Sequence, residues 1–277
     1  MSVLGKIGGV VEPHLISAAS LIGMDLTRRK QPAVVRDLIR TLRPMDCGKD
    51  LIRIGGKGDG GYLVPDDLDG IEYCFSPGVN TVANFENELA DRGIKSFLAD
   101  YSVDGTPISR TEFTFDKKFL GATDDEQFFT LTTWKERYLK DYSGDLLLQM
   151  DIEGGEYPVI LNTPDALLDQ FRILVIEFHS LDRLFDPFGF PILSACFDKL
   201  LQSFCVVHLH PNNCCGSVRH ADVEVPRVME FTFLNRRRGR PVKLQTHFPH
   251  PLDSANVPMN APNVPRTDIS LPKCWYN

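Results

Sequence analysis

The stretch at residues 144–161, GDLLLQMDIEGGEYPVIL, sets the tightest limit on what this chain can fold into. Leu146, Leu147 and Leu148 form an unbroken apolar run that passes straight into Asp151, Ile152, Glu153, Gly154, Gly155 and Glu156. A short run with no polar side reads as a strand buried on both faces, as in the middle of a parallel sheet. Acids and a glycine pair at its end put carboxylates on the carboxyl edge of that sheet, where open α/β sheets bind ligands. Asp151, Glu153 and Glu156 repel one another unless a cation, a donor or a substrate offsets the repulsion. Glu156 reads equally well as a first-turn helix acid.

The segments before this stretch supply neighbours for it. Residues 71–80, IEYCFSPGVN, read as a buried strand and a sharp Ser76-Pro77-Gly78 turn. A helix follows with Phe85 and Leu89 on one face and Gly93 as its stop. Residues 95–99 form a second strand, ended by Asp100. Strand, glycine turn, helix, strand and acid make a βαβ unit. Its acid falls about 20 residues past the turn, where nucleotide-binding α/β folds hold a ribose. Upstream, Pro32 starts a helix carrying Val34, Val35, Leu38, Ile39 and Leu42, and Pro44 ends it. Gly56, Gly58 and Gly61 spell G-x-G-x-x-G, but Tyr62-Leu63-Val64-Pro65 continues as strand or turn. A dinucleotide loop must open a helix, so this cluster reads as a hairpin loop able to approach a ligand closely.

Downstream the alternation continues. A third strand is expected at residues 111–115, and a helix at 133–140 with Trp134, Tyr138 and Leu139 inward. A helix start lies at Asn162-Thr163-Pro164-Asp165. Residues 173–178 form a buried strand ending at His179, and residues 205–210 another ending at His210 and Asn212-Asn213. Between them an amphipathic helix at 191–204 points Ile192, Cys196, Leu200 and Leu201 inward. Residues 228–235 and 242–246 are expected to flank the basic run 236–240 as a terminal hairpin. No repeat or interior linker is evident. One domain is expected at 51–246, with a helical arm at 1–50 and a Pro-rich tail at 247–277 docked through Leu271, Trp275 and Tyr276.

Composition narrows the function. A formal net charge of −7, with the densest basic run in a turn, argues against a nucleic-acid partner. No apolar run approaches the ~20 residues of a membrane span. The first 25 residues, broken by Glu12, Pro13 and His14, make a poor signal peptide. Seven cysteines without framework spacing suggest reduced thiols, and adjacent Cys214-Cys215 lacks zinc-finger spacing. The expected compartment is the cytoplasm.

With its segments placed, the chain resembles the FkbM-like branch of S-adenosylmethionine-dependent methyltransferases. MDIEGGEYPVIL is similar to that family's K-I-D-V-E-G-x-E-x-x-V-L signature, with Gln149-Met150 in place of Lys-Ile. RIGGKGDGGY, FSPGVN with Phe85-Glu86, IEFH, HLHPNN and MEFTFLNR support it in order, from about Arg53 to Arg237. One departure is Ser76, where an Asp is usual in the turn after the first strand. The resemblance implies an α/β, Rossmann-like class I methyltransferase fold. Its sheet has seven mostly parallel strands, an antiparallel last strand and helices on both faces. It also implies S-adenosyl-L-methionine as cofactor, with Gly78 and Asn80 at its amino-acid end and Asp100 on its ribose. Asp59 and Tyr62 would close over cofactor or substrate, Glu153 would face one or the other, and residues 121–124 would lie near the adenine.

The reaction needs a proton removed from the acceptor, and a hydroxyl is a poor nucleophile until a base or metal assists. Asp151, His179 and His210 end three successive buried strands and are expected to converge as a catalytic base cluster, with Glu153 beside them. The same three residues are candidate ligands for a divalent cation such as Mg or Mn. A metal-free histidine base and purely structural histidines are the alternatives. The expected acceptor is a hydroxyl of a glycan or other small molecule. An NAD(P)-dependent oxidoreductase and a non-catalytic nucleotide-binding module remain competing readings. Oligomeric state is left open.

Overall fold

The computed structural model describes residue 21, residues 28–258 and residues 269–277. Most of the expected arm before Pro32, and the tail prolines Pro262 and Pro265, lie outside the described residues. Proline at the first turn opens α1 (Pro32–Thr41), which buries Val35, Leu38 and Ile39.

Seven strands carry the fold: β1 (Tyr73–Pro77), β2 (Lys95–Ala99), β3 (Phe113–Asp116), β4 (Leu146–Met150), β5 (Phe171–Phe178), β6 (Phe204–Pro211) and β7 (Met229–Asn235). Their order across the sheet is β6-β7-β5-β4-β1-β2-β3. β7 runs antiparallel to β5 and β6, and all other neighbours are parallel. This is the sheet the resemblance implies. Every residue of β4, β5, β6 and β7 is buried: Leu146–Leu148 of β4 and the middle of β5 are unbroken apolar runs, whereas β6 and β7 also bury alternating polar residues, His208, His210, Glu230 and Thr232.

Burial on both faces requires two covers. One face carries α2 (Asn84–Asp91) and the hairpin Leu51–Ile54/Tyr62–Pro65, packed through Phe85, Leu89, Ile54 and Val64 onto Cys74, Leu147 and Val175. The other carries α1, α3 (Leu131–Leu139), α4 (Glu156–Asn162), the short α5 (Asp165–Leu168) and α6 (Gly189–Ser203). Trp134 of α3 meets Phe75 edge-on at 5.0 Å, and Trp275 of the tail meets Phe231 at 6.1 Å. Both tryptophans are fully buried.

Several local expectations are corrected, among them the inward placement of Val34 and Tyr138, which are 41% and 36% exposed. The inward stripe of α6 is Leu193, Cys196, Phe197 and Leu200, while Ile192 is 50% exposed. Both stripes have helical spacing, and the one carrying the larger ring wins the core. The terminal hairpin does not form: Lys243–Leu244 pairs with Met45–Asp46, because both edges of β7 are already taken by β5 and β6. Cys214 and Cys215 are joined as a disulfide rather than held as thiols. Among the described residues no helix is long and apolar enough to cross a membrane.

Candidate active site

The floor of the site is a backbone junction between β1 and β4. Gly78 follows β1 with φ +91°, and a Cβ there would lie 1.6 Å from the main-chain oxygen of Asp151. Only glycine allows both the positive φ and that approach. The turn then rises through Asn80, itself at φ +41°, whose N–H donates to Asp100 Oδ2 at 2.9 Å. Asp100 Oδ1 accepts from the Ser102 N–H (2.8 Å) and hydroxyl (2.6 Å). A carboxylate offers about four lone-pair positions, so one on Oδ2 stays open for a ligand hydroxyl.

Around this junction lies a cleft of about 540 Å³ at the carboxyl edge of the sheet, within the roughly 300–1,000 Å³ of small-molecule sites. It gathers seven residues singled out from sequence: Asp59, Tyr62, Gly78, Asn80, Asp100, Asp151 and Glu153. Phe119, Leu120 and Phe128 form an apolar wall. The expected adenine segment 121–124 is not among the residues lining the cleft. A Cβ on Gly121 would press on Phe128, and Asp124 accepts from Thr130 and Thr133 at the start of α3. The lining includes the acids Asp59, Glu86, Asp100, Asp151 and Glu153, and no Lys, Arg or His among the described residues.

Glu86 explains the serine at position 76. The Ser76 hydroxyl contacts the buried Glu86 carboxyl and, at 2.6 Å, Gln149 Oε1, while Gln149 Nε2 donates to the Tyr62 hydroxyl at 3.2 Å. Serine has one proton for two acceptors. Burial pushes the Glu86 carboxyl above its ordinary range, with the hydrogen bond from Ser76 opposing the rise. The acid of this turn therefore comes from the first turn of α2 instead of from β1.

At the mouth of the cleft His179 sits among four carboxylates. Its Nδ1 is 3.1 Å from Glu156 Oε1, and its Nε2 lies 3.4 Å from Glu153, 3.8 Å from Asp151 and 3.9 Å from Glu177. A carboxylate only accepts, so Nδ1 carries the hydrogen and Nε2 faces the acids. Burial works against the imidazolium, but Glu156, Asp151 and Glu153 outweigh it and raise the ring above its ordinary value. Burial pushes Asp151 up to about 7, with His179 opposing and Glu153 and Asp59 adding to the rise. Glu177, buried and facing Asp151, is raised well above the carboxylate range while accepting from Asn212 Nδ2 at 2.9 Å. Asp151, Glu177 and His179 bring ligand atoms within 4.8 Å of one another, so this trio has the donors for a divalent cation.

His210 does not join them. Glu177 on β5 pairs with Glu230 on β7, and Glu230 pairs with His210 on β6. One strand therefore separates the two histidines, adding roughly 4.8 Å for each strand interval. His210 stands instead with His208 and Asp253, away from the cleft. The expected convergence fails because strands consecutive in this part of the chain are not neighbours in the sheet.

Glu156 does more than a first-turn acid. Fully buried, its Oε1 accepts from the N–H groups of Ile152 (3.3 Å) and Gly154 (3.0 Å) as well as orienting His179. Its partner is 23 positions away, so local spacing carried no sign of it.

A sheet in this order, with an acid-lined cleft over the ends of β1, β2 and β4, defines a class I methyltransferase fold. Residues 80–201 match the family model described as Methyltransferase FkbM domain. No curated protein matches. Among solved structures the chain is similar to one in a fibrillarin/NOP5P complex, at 13% identity and TM-score 0.35, covering 61% of this chain and 74% of that one. A protein described as a DNA modification methyltransferase encoded within a prophage (E. coli) matches at 9% identity and TM-score 0.38, covering 60% and 47% respectively. A third, from a study of disulfide-to-thioacetal conversion in echinomycin biosynthesis, matches at 14% identity and TM-score 0.29, covering 74% and 93%.

Proposed function

We propose that this methyltransferase uses S-adenosyl-L-methionine to methylate a hydroxyl of a glycan or other small molecule, with His179 and Asp151 handling the acceptor proton. The observation carrying this reading is the sign of the cleft: five acids and no basic side chain among its described lining residues, opening beside His179. Such a lining favours a cationic donor and disfavours the pyrophosphate of a dinucleotide. When bound, S-adenosylmethionine supplies an electrophilic methyl group on a sulfonium. Its amino-acid end would lie over Gly78 and Asn80, its ribose on the open Oδ2 position of Asp100, and its base against Phe119, Leu120 and Phe128.

His179 is the proton acceptor in this proposal. Glu156 fixes Nδ1–H, so the neutral ring presents the Nε2 lone pair toward the mouth of the cleft. The imidazolium formed on taking the acceptor proton is stabilised by Asp151, Glu153 and Glu177, each within 3.9 Å of Nε2. Holding the hydroxyl close to the methyl-bearing end of the cleft supplies the orientation that displacement needs. A divalent cation on Asp151, Glu177 and His179 is the second reading, favoured by the grouping of their donors.

Purified protein incubated with S-adenosylmethionine and a panel of hydroxylated acceptors tests this, with mass spectrometry reading the gain of one methyl group. Thermal protection by NAD(P)H but not by S-adenosylmethionine would overturn the assignment. Full turnover in the presence of a chelator assigns proton transfer to the metal-free histidine.

A further inference from the structure

We propose that His208, His210 and Asp253 form a second site, outside the cleft, that binds one divalent transition-metal ion of the zinc class and clamps the C-terminal segment onto the sheet. His208 and His210 project from one face of β6, two positions apart. Asp253 reaches them from a segment 45 residues downstream. Its Oδ1 lies 2.9 Å from His208 Nε2 and 3.4 Å from His210 Nδ1, and the three donor atoms fall within 4.8 Å of one another. Donors each about 2.0–2.2 Å from a tetrahedral zinc stand roughly 3.3–3.6 Å apart; the His210–Asp253 pair already has that spacing, and the His208–Asp253 pair reaches it by opening slightly. All three side chains are 2–3% exposed.

The hydrogen-bond pattern argues for a cation between them. Asn256 Nδ2 donates to Glu230 Oε1 at 2.6 Å, so Asn256 Oδ1 is the atom facing His210 Nε2 at 3.1 Å. His210 must then donate from Nε2, which leaves Nδ1 3.4 Å from Asp253 Oδ1, at ion-pair distance but outside good hydrogen-bond geometry. In the neutral ring, that places a lone pair against a carboxylate oxygen in a buried space, an arrangement that costs free energy. A metal ion turns the same geometry into ligation. The outer bond from a histidine's other nitrogen to an amide, and on to a carboxylate, is the usual support for a metal ligand.

Asp253 has no cationic side chain other than the imidazoles within ion-pair distance among the described residues. Its Oδ2 accepts from the His250 N–H at 2.7 Å. Arg53, on the same face, spends its N–H groups on the main-chain oxygens of Gly56, Gly58, Gly61 and Leu252. Two imidazole nitrogens and one carboxylate oxygen suit zinc or its first-row neighbours rather than magnesium or calcium, which prefer oxygen.

The consequence reaches the cleft through the chain. Ser254, beside Asp253, accepts from the Gly58 N–H at 3.3 Å, and Asp59 and Gly60 of that loop line the cleft. Asn213 exchanges two hydrogen bonds with Val257 at 2.8 and 2.9 Å. A bound ion would fix this segment and, with it, one wall of the cleft.

The full chain is incubated with zinc, freed of excess by dialysis, and its metal counted by plasma mass spectrometry; cobalt is then bound for visible d–d absorption. The expected result is one ion per chain, retained in His179→Gln and lost in Asp253→Asn and His208→Gln, with a rise in wild-type Tm on loading. X-ray absorption of the zinc-loaded wild type keeps the proposal testable should the variants not fold. Two imidazoles in the shell support this site, and one assigns the ion to the Asp151 trio and overturns it. A folded wild type that retains no ion also overturns it.

Discussion

Replacing Gly78 by alanine, with Gly154→Ala as its partner, tests whether the β1–β4 junction forms the floor of the cleft. Both glycines have positive φ, +91° and +102°, so alanine at either carries a backbone penalty of about 1–2 kcal/mol. They differ in their surroundings. A Cβ on Gly154 meets nothing within 4 Å, whereas on Gly78 it lies 1.6 Å from the Asp151 oxygen and 2.7 Å from its carbonyl carbon. Normal contact begins near 3.4 Å, so relief requires the ends of β1 and β4 to part by about 1.8 Å, a distortion of the overpacking kind costing roughly 1–3 kcal/mol or more. Gly78→Ala should thus lose roughly 2–5 kcal/mol and Gly154→Ala about 1–2, of a total that is typically 5–15 kcal/mol. Urea unfolding gives the two values, and calorimetry with S-adenosylmethionine gives affinity. Gly78→Ala should lose most binding and Gly154→Ala should keep it. Equal losses in stability, or full affinity in Gly78→Ala, would refute the reasoning.

Two further perturbations address proton handling. Asp151 takes up its proton at a higher pH in the folded chain, about 7 against 3.8 unfolded, so wild-type stability should fall as pH rises across that window. Asp151→Asn should flatten that slope in pH-dependent unfolding, by at most roughly 4 kcal/mol at pH 8, while lowering turnover. For His179, burial lowers the value but the surrounding acids raise it overall, so its charge contributes stability below the unfolded value and loses it as pH climbs through the folded one. Glu156→Gln removes one of those acids; the imidazole titration seen by nuclear magnetic resonance, and the rising limb of turnover, should shift down by roughly 1–3 pH units. An unmoved His179 titration would remove Glu156 from the orienting role.

The sequence displayed most of the sheet because β4 and β5 are buried on both faces and carry the apolar runs Leu146–Leu148 and Ile173–Ile176. It displayed most of the cleft for a related reason: Gly78, Asp100 and Asp151 each sit where a strand ends, which is readable along one chain. What one chain does not display is lateral order. Ile173-Leu174-Val175 and Cys205-Val206-Val207 give no sign that Met229–Asn235 inserts between them, so His210 was expected beside His179 and stands beside Asp253. The same limit hid Glu156 behind its capping role and left Ser76 as an unexplained departure until Glu86 of α2 proved to be its partner. Helix phase in α6 was ambiguous because two apolar stripes had acceptable spacing, and the packing of Phe197 decided it.

Isothermal titration calorimetry with S-adenosylmethionine, on wild type and on Asp100→Ala, tests the central assignment most directly. Asp100 already holds Asn80 and Ser102 and has one acceptor position left for a ribose hydroxyl. Removing a charge-assisted hydrogen bond of about 1.5–3 kcal/mol weakens binding roughly 10- to 150-fold. The account predicts binding at one site per wild-type chain and that loss in the variant. No binding to the wild type, or equal affinity in Asp100→Ala, would contradict it.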